Sequence, residues 1–512
     1  AEAAAERAEA ARDKAVGARD DTISLLDYVS GGWWPTYDTT LGEYPLDELR
    51  RWMEAKRDGK TYGVEVPKST ATACTKTDAN AGIAEPVPGI IGRPAVDPYQ
   101  QRGPFFAIEC NGYIDTDGFP HVTALQGDPR FSRTGDEDVW VLAPTLWWRM
   151  VQGEDTVTLK VSDTFKPGFE SQPKAYLPDG RRRPFMLYAK YPLSIVDGVA
   201  RSVSGVSPQV QTVSHNSLIG QCKNATTGYS GKSYADDWYV KAMFLLKYAT
   251  KNSQSIFGGT SSFYLRYQPV VAETGVRRVV LTTAEANGFP VGSSVRVGTT
   301  NSYGVAASYS TADTTVVSIE DLGGGQSALN LDLDHDIDVT TDLYVLSWHW
   351  RAGACDEVVG DGAPYNPKAT NQPFTLQGIE LMHGFYETLA DVIFASEGDG
   401  WRPRLLLDSK YAATTVTDAY IDSGVEVPTT DSTWKYSVYP RSAGGLLFGD
   451  GTTGSSSSGM ADGTYVATRQ WRGLGHLSHG GQAGLFIVGG SSTLGSVLWS
   501  IGSRLSGVGR AG

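Results

Sequence analysis

The feature that most constrains the fold is a long succession of short, alternating apolar runs separated by turn sequences. Between residues 104 and 200, the runs FFAIECNGYI, DVWVLAPTLWWRM, DTVTLKV and PFMLYAKYPL are divided by TDG, PDG and VDG. Runs of this length predict β-strands, and dipeptides that contain Gly and Asp predict the turns between them. The 59 glycines and 25 prolines fit the same pattern. We therefore expect a β-rich α+β fold rather than a helical bundle.

The length and the net charge of the chain limit the functions that it can have. The 512 residues exceed one typical domain and predict two or more modules. A net charge of -13 argues against a nucleic-acid-binding surface. The sequence has no run of 18 apolar residues, so we expect no membrane insertion. The four cysteines form no CxxC pair, which predicts reduced, mostly buried thiols rather than disulfides or a zinc ribbon.

The first 29 residues follow a heptad pattern with Glu and Arg on its flanks. Small and aliphatic residues recur at alternating spacings of three and four, at Ala1, Ala4, Ala8, Ala11, Ala15, Ala18, Thr22, Leu25 and Val29. This pattern predicts a coiled-coil stalk that oligomerises the chain, and we expect a homotrimer. The alternative is one amphipathic helix lying on its own domain. An alanine seam buries little area, so the rest of the protein must help to hold the strands of the stalk together.

Two internal segments predict helices. LDELRRWMEAKRDG is typical of one short helix, and YADDWYVKAMFLLKYATKNSQSIFGG is the longest internal helix signal. Ser233 can cap this second helix, Asp236 and Asp237 lie in its first turn, and the pair at 258–259 predicts its end. Its predicted apolar face consists of Trp238, Met243, Leu246 and Ala249.

Short β-branched runs between Tyr267 and Trp348, joined by NG, GG and polar turns, predict a small β-barrel or β-sandwich inserted in a larger domain. The predicted organisation is a coiled-coil stalk over 1–30, an attachment or linker region with a short helix and strands over 31–104, a discontinuous domain over 105–268 and 347–512, and the inserted module over 269–346.

Two clusters of polar residues have a spacing that is found in metal sites, but neither favours a bound metal on other grounds. Asp332, Asp334, Asp336 and Asp338 alternate, so a strand would place all four carboxylates on one face. Such a row favours a solvated face, with a calcium site as the alternative. His476 and His479 are three residues apart, but the surrounding glycines disfavour the helix that a metal pair would need. We therefore predict no bound metal.

The sequence shows no other group of residues that is typical of a catalytic site. The sequence contains no GxSxG, HExxH or P-loop motif. Arg181, Arg182 and Arg183 follow a PDG turn and predict a solvated hairpin. Paired tryptophans could stack on sugars, although packing in the core is the simpler interpretation.

The segment from Gly475 to Ser506, GHLSHGGQAGLFIVGGSSTLGSVLWSIGSRLS, follows neither a helical nor a strand period. Gly, Leu, Phe and Trp form a regular frame, and small polar residues lie between them. The segment resembles the variable region of C-type-lectin-fold proteins diversified by diversity-generating retroelements, a fold also found in phage tail and virion proteins. The frame of that family falls on Trp471, Leu474, Gly475, Leu477, Gly480, Ala483, Gly484, Leu485, Phe486, Trp499, Gly502, Arg504 and Leu505.

The resemblance covers roughly residues 105 to 512 and implies a C-type-lectin-like domain that carries the inserted module. The positions that vary in that family would form the ligand-binding face. They are His476, Ser478, His479, Gln482, Gly489, Ser491, Ser492, Ser496, Leu498 and Ser500. Because frame residues hold the backbone, the side chains between them can be exchanged without altering the core.

The function that the resemblance implies is that of a phage virion protein, a tail or head fibre or tip subunit, that binds the host cell surface. Its partners would be a protein or glycan receptor and other virion subunits. The alternatives are a virion component that only packs against other subunits, and a cellular surface protein diversified by a retroelement. The same fold includes formylglycine-generating oxidases, which use late cysteines or His-bound iron. No cysteine follows Cys355 and no His triad is present, so we expect neither enzyme activity nor a cofactor.

Overall fold

The computed structural model describes residues 34–100, 102–226, 228–304, 313–397, 400–425, 434–437, 439–440, 451–453, 462–464 and 468–510. The predicted stalk over 1–30 and the run of serines over 455–458 lie outside the described residues. The structure is 12% helical and 38% strand, which confirms the predicted β-rich α+β class.

Two antiparallel sheets form the first part of the described chain. A five-stranded sheet has the order β2-β1-β7-β6-β8, built from β1 (Thr61–Pro67), β2 (Thr75–Asp78), β6 (Trp147–Gln152), β7 (Thr156–Ser162) and β8 (Glu170–Ser171). A four-stranded sheet has the order β4-β3-β5-β9, built from β3 (Ile108–Ile114), β4 (Pro120–Leu125), β5 (Asp138–Pro144) and β9 (Phe185–Ala189). A short hairpin of β10 (Ser194–Val196) and β11 (Val199–Arg201) follows.

Short strands between residues 266 and 347 pair with one another. A six-stranded sheet contains β13 (Arg266–Tyr267), β15 (Arg278–Thr282), β16 (Ser294–Gly298), β17 (Thr314–Gly323), β18 (Gln326–Leu331) and β20 (Tyr344–Ser347). A smaller pair is formed by β14 (Glu273–Val276) and β19 (Ile337–Val339). Their side chains contribute to an apolar cluster that includes Phe289, Val316 and Leu329 and that also contains Phe385 and Leu477.

The expectation that four aspartates share one strand is wrong. Strand β18 ends at Leu331 and β19 begins at Ile337, so Asp332, Asp334 and Asp336 lie in the connection between them. All four aspartates are exposed, and Asp336 pairs with Arg277 at 2.8 Å. The exposure of all four agrees with the favoured interpretation of the row as a solvated one.

A nine-stranded sheet occupies the C-terminal part of the chain. It comprises β23 (Tyr386–Glu397), β24 (Gly400–Leu406), β25 (Tyr420–Asp422), β26 (Trp434–Ser437), β27 (Gly451–Thr453), β28 (Asp462–Thr464), β29 (Arg469–Leu474), β30 (Gly484–Gly490) and β31 (Ile501–Gly502). The short hairpin of β21 (Phe374–Leu376) and β22 (Ile379–Leu381) precedes it. Strand β32 (Leu505–Gly507) pairs with β12 (Tyr229–Gly231), which joins the last strand to the middle of the chain.

The described helices are α1 (Leu46–Ala55), α2 (His215–Lys223), α3 (Tyr234–Tyr248) and the single turn α4 (Thr283–Ala286). In α3 the Ser233 hydroxyl accepts a hydrogen bond from the backbone N–H of Asp236, which confirms the predicted cap, and the Asp236 carboxylate accepts one from the Ser233 N–H in return. Two other expectations for α3 are wrong. The helix ends at Tyr248 because Ala249 adopts a left-handed conformation, and α3 is buried on every side rather than on one apolar face.

The thiols of Cys110, Cys222 and Cys355 are buried and that of Cys74 is half-buried, and all four are free. The described helices include none that combines the length and the apolar character needed to cross a membrane.

Candidate functional site

The C-terminal segment begins with a sharp turn after β29. Leu474 and Gly475 both have positive φ angles, of 74° and 89°. A Cβ atom on Gly475 would lie 2.8 Å from the Cβ of Ala483, so glycine permits a close approach of the two arms of the loop. The loop is held at its centre, where the Leu477 N–H donates to Gly384 O at 3.0 Å and Leu477 O accepts from Phe263 N at 2.7 Å.

The frame residues of this segment lie almost entirely in the core. Trp471, Leu477 and Leu505 have no exposed surface, and only Gly480 and Trp499 are half-buried. The buried frame residues also include Leu474, Gly475, Ala483, Gly484, Leu485, Phe486, Gly502 and Arg504. An aperiodic stretch of chain is therefore anchored at many points along its length.

The ten predicted binding residues have three different environments. Ser478, Ser491 and Leu498 are exposed, whereas His476, His479, Gln482 and Ser496 are half-buried. Gly489, Ser492 and Ser500 are buried. We refer to the seven residues that reach solvent as the C-terminal face, which comprises His476, Ser478, His479, Gln482, Ser491, Ser496 and Leu498.

The centre of the C-terminal face is a pair of imidazoles in close contact, with their planes tilted by 32°. The ring centroids of His476 and His479 lie 3.7 Å apart. The buried ring of Tyr386 meets both edge-on, at 5.3 Å and 4.9 Å, and its hydroxyl lies 3.2 Å from His479 Nε2. The backbone N–H of His476 donates to His479 Nδ1 at 3.4 Å. Tyr386 thus supports the two histidines from within the protein.

A buried arginine connects the histidine pair to the second half of the segment. The Arg472 guanidinium carbon lies 4.2 Å from the centroid of the Tyr386 ring. Its Nη2 donates to the exposed hydroxyl of Ser491 at 2.5 Å, and its Nε donates to Gly489 O at 3.2 Å. The Ser491 hydroxyl is therefore a polar group at the surface that a buried positive charge polarises.

The loop from residue 491 to residue 500 is fixed by one core side chain. Gln470, which has no exposed surface, donates its amide hydrogens to Thr493 O at 2.9 Å and Ser496 O at 3.1 Å. Its backbone N–H donates to Ser492 O at 3.0 Å. These bonds involve the backbone of the loop, so they hold its path whatever side chains it carries.

Aromatic side chains from distant parts of the chain extend the C-terminal face. Trp499 lies 5.1 Å from His476, 5.0 Å from Tyr303 and 6.0 Å from Tyr264, between ring centroids. On its inner side, Trp499 stacks on His349 at 5.7 Å. Tyr264, which precedes the inserted module in the chain, is 37% exposed, and Tyr303 of the module is buried, so the exposed aromatic surface continues from the loop to Tyr264. The inserted module therefore borders the site.

The electrostatics of the segment differ from those of the whole chain. No Asp or Glu follows Asp462 in the sequence, whereas four arginines do. Burial, together with His479 and Arg472, lowers the pKa of His476 to about 2, and burial with Arg472 lowers the pKa of His479 to about 4. Both imidazoles are thus neutral at pH 7. The C-terminal face is a neutral to weakly positive surface on a protein of net charge -13.

The arrangement is suited to binding through hydroxyl, imidazole and aromatic groups. Within the described ranges, no group of three or more His, Cys, Asp or Glu residues could hold a metal ion. Besides each other and Tyr386, the histidines contact Ser478, whose hydroxyl lies 3.1 Å from His476 Nδ1. No protein-family profile matches this sequence, and no curated protein matches it.

Several residues of the site were not predicted from the sequence. Tyr386, Tyr264 and Tyr303 come from distant parts of the chain, and no local pattern marks them. Arg472 could have been noticed, because it lies inside the frame next to Trp471 and is one of few charges in the segment.

Proposed function

We propose that this chain is a phage virion structural protein, a tail or head fibre or tip subunit, that binds the host cell surface through the C-terminal face. The observation that carries the proposal is the division within residues 471–505 between a buried frame and interleaved side chains that reach solvent. Side chains that lie outside the core on a fixed backbone can change without loss of stability. A surface built in this way supports recognition of a variable partner.

The C-type-lectin fold belongs to the same proposal. It is supported by the fit of the family's frame to buried positions and by the pairing of β32 with β12, which closes the end of the chain onto an earlier segment. The proposed activity is binding rather than catalysis, and the proposed location is the surface of the phage particle.

The C-terminal face is small, so one copy would bind weakly. A trimer formed through the heptads of residues 1–30 would present three faces together, and linked sites gain avidity of about 10² or more through effective concentration. The stalk and the face then serve one purpose, adhesion to a surface that displays many receptors. The proposed receptor is a protein or glycan of the host surface.

A second candidate is a virion component that packs against another subunit without binding a receptor. Two observations favour it. Ser492 and Ser500 are buried, although the resemblance places them on the binding face, and the adjacent apolar residues Val497 and Leu498 are 45% and 44% exposed. Exposed apolar pairs of this kind suit a contact between subunits.

A competition experiment separates the two candidates. The purified full-length chain is added to host cells before the phage particle, and adsorption is measured. A face variant that combines Ser478→Glu with Leu498→Glu changes two exposed positions and adds charge to a face that lacks acidic residues. We expect the unmodified chain to reduce adsorption and the face variant to have no effect.

The matched control combines Val96→Glu with Tyr365→Glu, two positions of similar exposure, at 67% and 47%, outside the C-terminal face. This control should compete as well as the unmodified chain. Equal competition by the face variant, with an unchanged melting temperature, would exclude the C-terminal face as the receptor site. Failure of the unmodified trimer to compete would favour the packing candidate.

A further inference from the structure

A cleft of about 490 Å³ opens where the five-stranded sheet meets the edge of the nine-stranded sheet. Strands β6 and β8 contribute one wall, and β24 and β25 contribute the other. The volume lies within the usual range for small-molecule sites, about 300 to 1,000 Å³. None of the described residues that line the cleft belongs to the C-terminal face.

One wall of the cleft is aromatic. Trp147, Trp148, Tyr176 and Tyr234 all line it, and because Trp148 and Tyr234 are buried, Trp147 and Tyr176 are the two of these rings that reach solvent. Trp147 is half-buried and contacts Phe165 edge-on at 5.0 Å, and Phe165 is itself 60% exposed. Aromatic rings that are held rigidly and remain open on one side are suited to stacking on the apolar face of a planar or ring-shaped ligand.

The polar groups of the cleft are acceptors and hydroxyls. Glu170 is exposed, and none of the described residues forms a hydrogen bond or ion pair with its carboxylate. Asp422 and Ser423 stand on the opposite wall. Ionised carboxylates are strong hydrogen-bond acceptors and can receive two donors at once. The cleft therefore offers acceptors close to an aromatic wall.

The charges around the cleft discriminate between ligand classes. Asp422 is already paired with Arg402 at 2.8 Å and lies 3.9 Å from Arg404. The expectation that Arg182 belongs to a solvated hairpin is wrong, because its guanidinium lies 4.2 Å from the Trp147 ring centroid and its Nε donates to Ser171 at 2.8 Å. These arginines disfavour a cationic ligand, and the carboxylate of Glu170 disfavours an anionic one.

We infer that this cleft binds a neutral saccharide. A sugar presents hydroxyl donors to the Glu170 carboxylate and an apolar ring face to Trp147, and it carries no charge to conflict with either set of neighbours. This inference is separate from the proposed binding by the C-terminal face. It assigns a second site, which uses fixed aromatic residues where the C-terminal face uses small polar ones.

The test uses the full-length chain and neutral trisaccharides built from glucose, galactose, mannose or N-acetylglucosamine. Each trisaccharide is titrated while tryptophan fluorescence is recorded. We expect at least one to bind and to perturb the fluorescence, and we expect Trp147→Ala and Glu170→Ala to weaken its binding by about tenfold or more. Glu170 is exposed, so Glu170→Ala decides the outcome if Trp147→Ala fails to fold.

Two controls locate the effect. Tyr411→Ala removes an aromatic residue that is 55% exposed and lies outside the cleft lining, and it should leave the affinity unchanged. The variant with Ser478→Glu and Leu498→Glu should also bind the trisaccharide normally.

The inference is overturned if no neutral trisaccharide binds at millimolar concentration, or if Glu170→Ala binds as well as the unmodified chain. Loss of trisaccharide binding in the face variant would place the sugar on the C-terminal face instead. Because adsorption is measured separately, failure here leaves the proposed receptor function standing.

Discussion

Two adjacent residues of β23 belong to two regions that differ in burial and charge. Tyr386 lies beneath the histidines of the C-terminal face, whereas Glu387 is buried in a group of charged side chains. We call this group the ionic core, and it consists of Lys232, Asp237, Lys241, Glu387 and Arg504. Lys232 Nζ lies 2.9 Å from Glu387 and 3.3 Å from Asp237, and Glu387 also accepts hydrogen bonds from Arg504. Successive side chains of a strand point to opposite sides, so β23 separates the two regions.

The two regions differ in whether a side chain is needed by its neighbours. In the ionic core every charge is buried and has a partner, so the removal of one group leaves another uncompensated. In the C-terminal face the backbone is held by Gln470 and by the frame, and the exposed side chains have few partners. The comparison teaches that tolerance of substitution follows from how the backbone is fixed, not from distance to the core.

The largest expected effect comes from Glu387→Ala. Burial opposes ionisation of this carboxyl, but Arg504 and Lys232 hold its pKa at about 2. Removal of the carboxylate leaves two buried cations without their shared partner, so we expect a loss of about 3 to 5 kcal/mol in the free energy of unfolding. Urea denaturation measures it.

The matched control for Glu387→Ala is Asp336→Ala, which removes an exposed ion pair with Arg277 and should cause no measurable change. Equal stability of the two variants would contradict the description of the ionic core.

Gly475→Ala tests how firmly the turn beneath the C-terminal face is held. The added methyl group would meet Ala483 at 2.8 Å, in a backbone with φ of 89°. We expect a loss of about 1 to 3 kcal/mol in the free energy of unfolding. Gly198→Ala is the control, because Gly198 has φ of 81° but no atom within 4 Å of the added Cβ. A loss at Gly475 no greater than that at Gly198 would show that the close contact with Ala483 has no effect.

Acid should destabilise the C-terminal face before it affects the ionic core. The pKa values of His476 and His479 are lowered to about 2 and 4, so the unfolded chain binds protons below pH 6.5 when the folded chain does not. Stability is therefore present above pH 6.5 and is lost as the pH falls towards 4. We expect a loss on the order of 1 to 2 kcal/mol per histidine at pH 5.

The double variant His476→Asn, His479→Asn should lose part of the acid dependence between pH 6.5 and 5, and the rest comes from His349 and His215, whose pKa values burial also lowers. The contribution of Glu387, whose pKa is lowered, declines only below its ordinary value of 4.5, so the two pH windows can be distinguished. An unchanged pH profile in the double variant would exclude the histidines as the cause.

The smallest expected effect on stability is at Leu498. This side chain is 44% exposed, so Leu498→Ser should change the free energy of unfolding by less than about 0.5 kcal/mol. Leu477→Ala, a frame position with no exposed surface, should cost about 2 to 5 kcal/mol in the same thermal or urea measurement. Similar losses at both positions would remove the distinction between the frame and the residues it presents.

Local structure was predictable where the signal was local. The cap formed by Ser233 and Asp236 was visible in the sequence, because both partners lie within one turn of helix. The end of α3 was not, because the residues after Tyr248 contain no helix breaker before the glycine pair at 258–259. Ala249 adopts its left-handed conformation only in the folded protein. There, the backbone N–H of Lys251 donates to Thr72 O, and this bond holds the chain in a non-helical path after Tyr248.

The sequence also did not predict which charged side chains are buried. Arg182 and Arg183 were expected in solvent after a turn, yet Arg183 is buried and donates to Val508 O. A strand-and-turn pattern does not show which other segment covers it. The same limit applies to α3, where Lys241 and Lys247 look like solvent-facing residues and are fully covered.

By itself the sequence determined the β-rich class, the capped start of α3 and the alternation of frame and interleaved residues near the C-terminus. These depend on periodicity, turn chemistry and side-chain size, which act over a few residues. Only the tertiary structure decided that Ser492 and Ser500 are buried while Ser478 and Ser491 reach solvent, and that Tyr386 and Trp499 complete the face. Whether a side chain reaches solvent depends on which distant segments of the chain pack over it. That packing is set by long-range strand pairing, which no local pattern specifies.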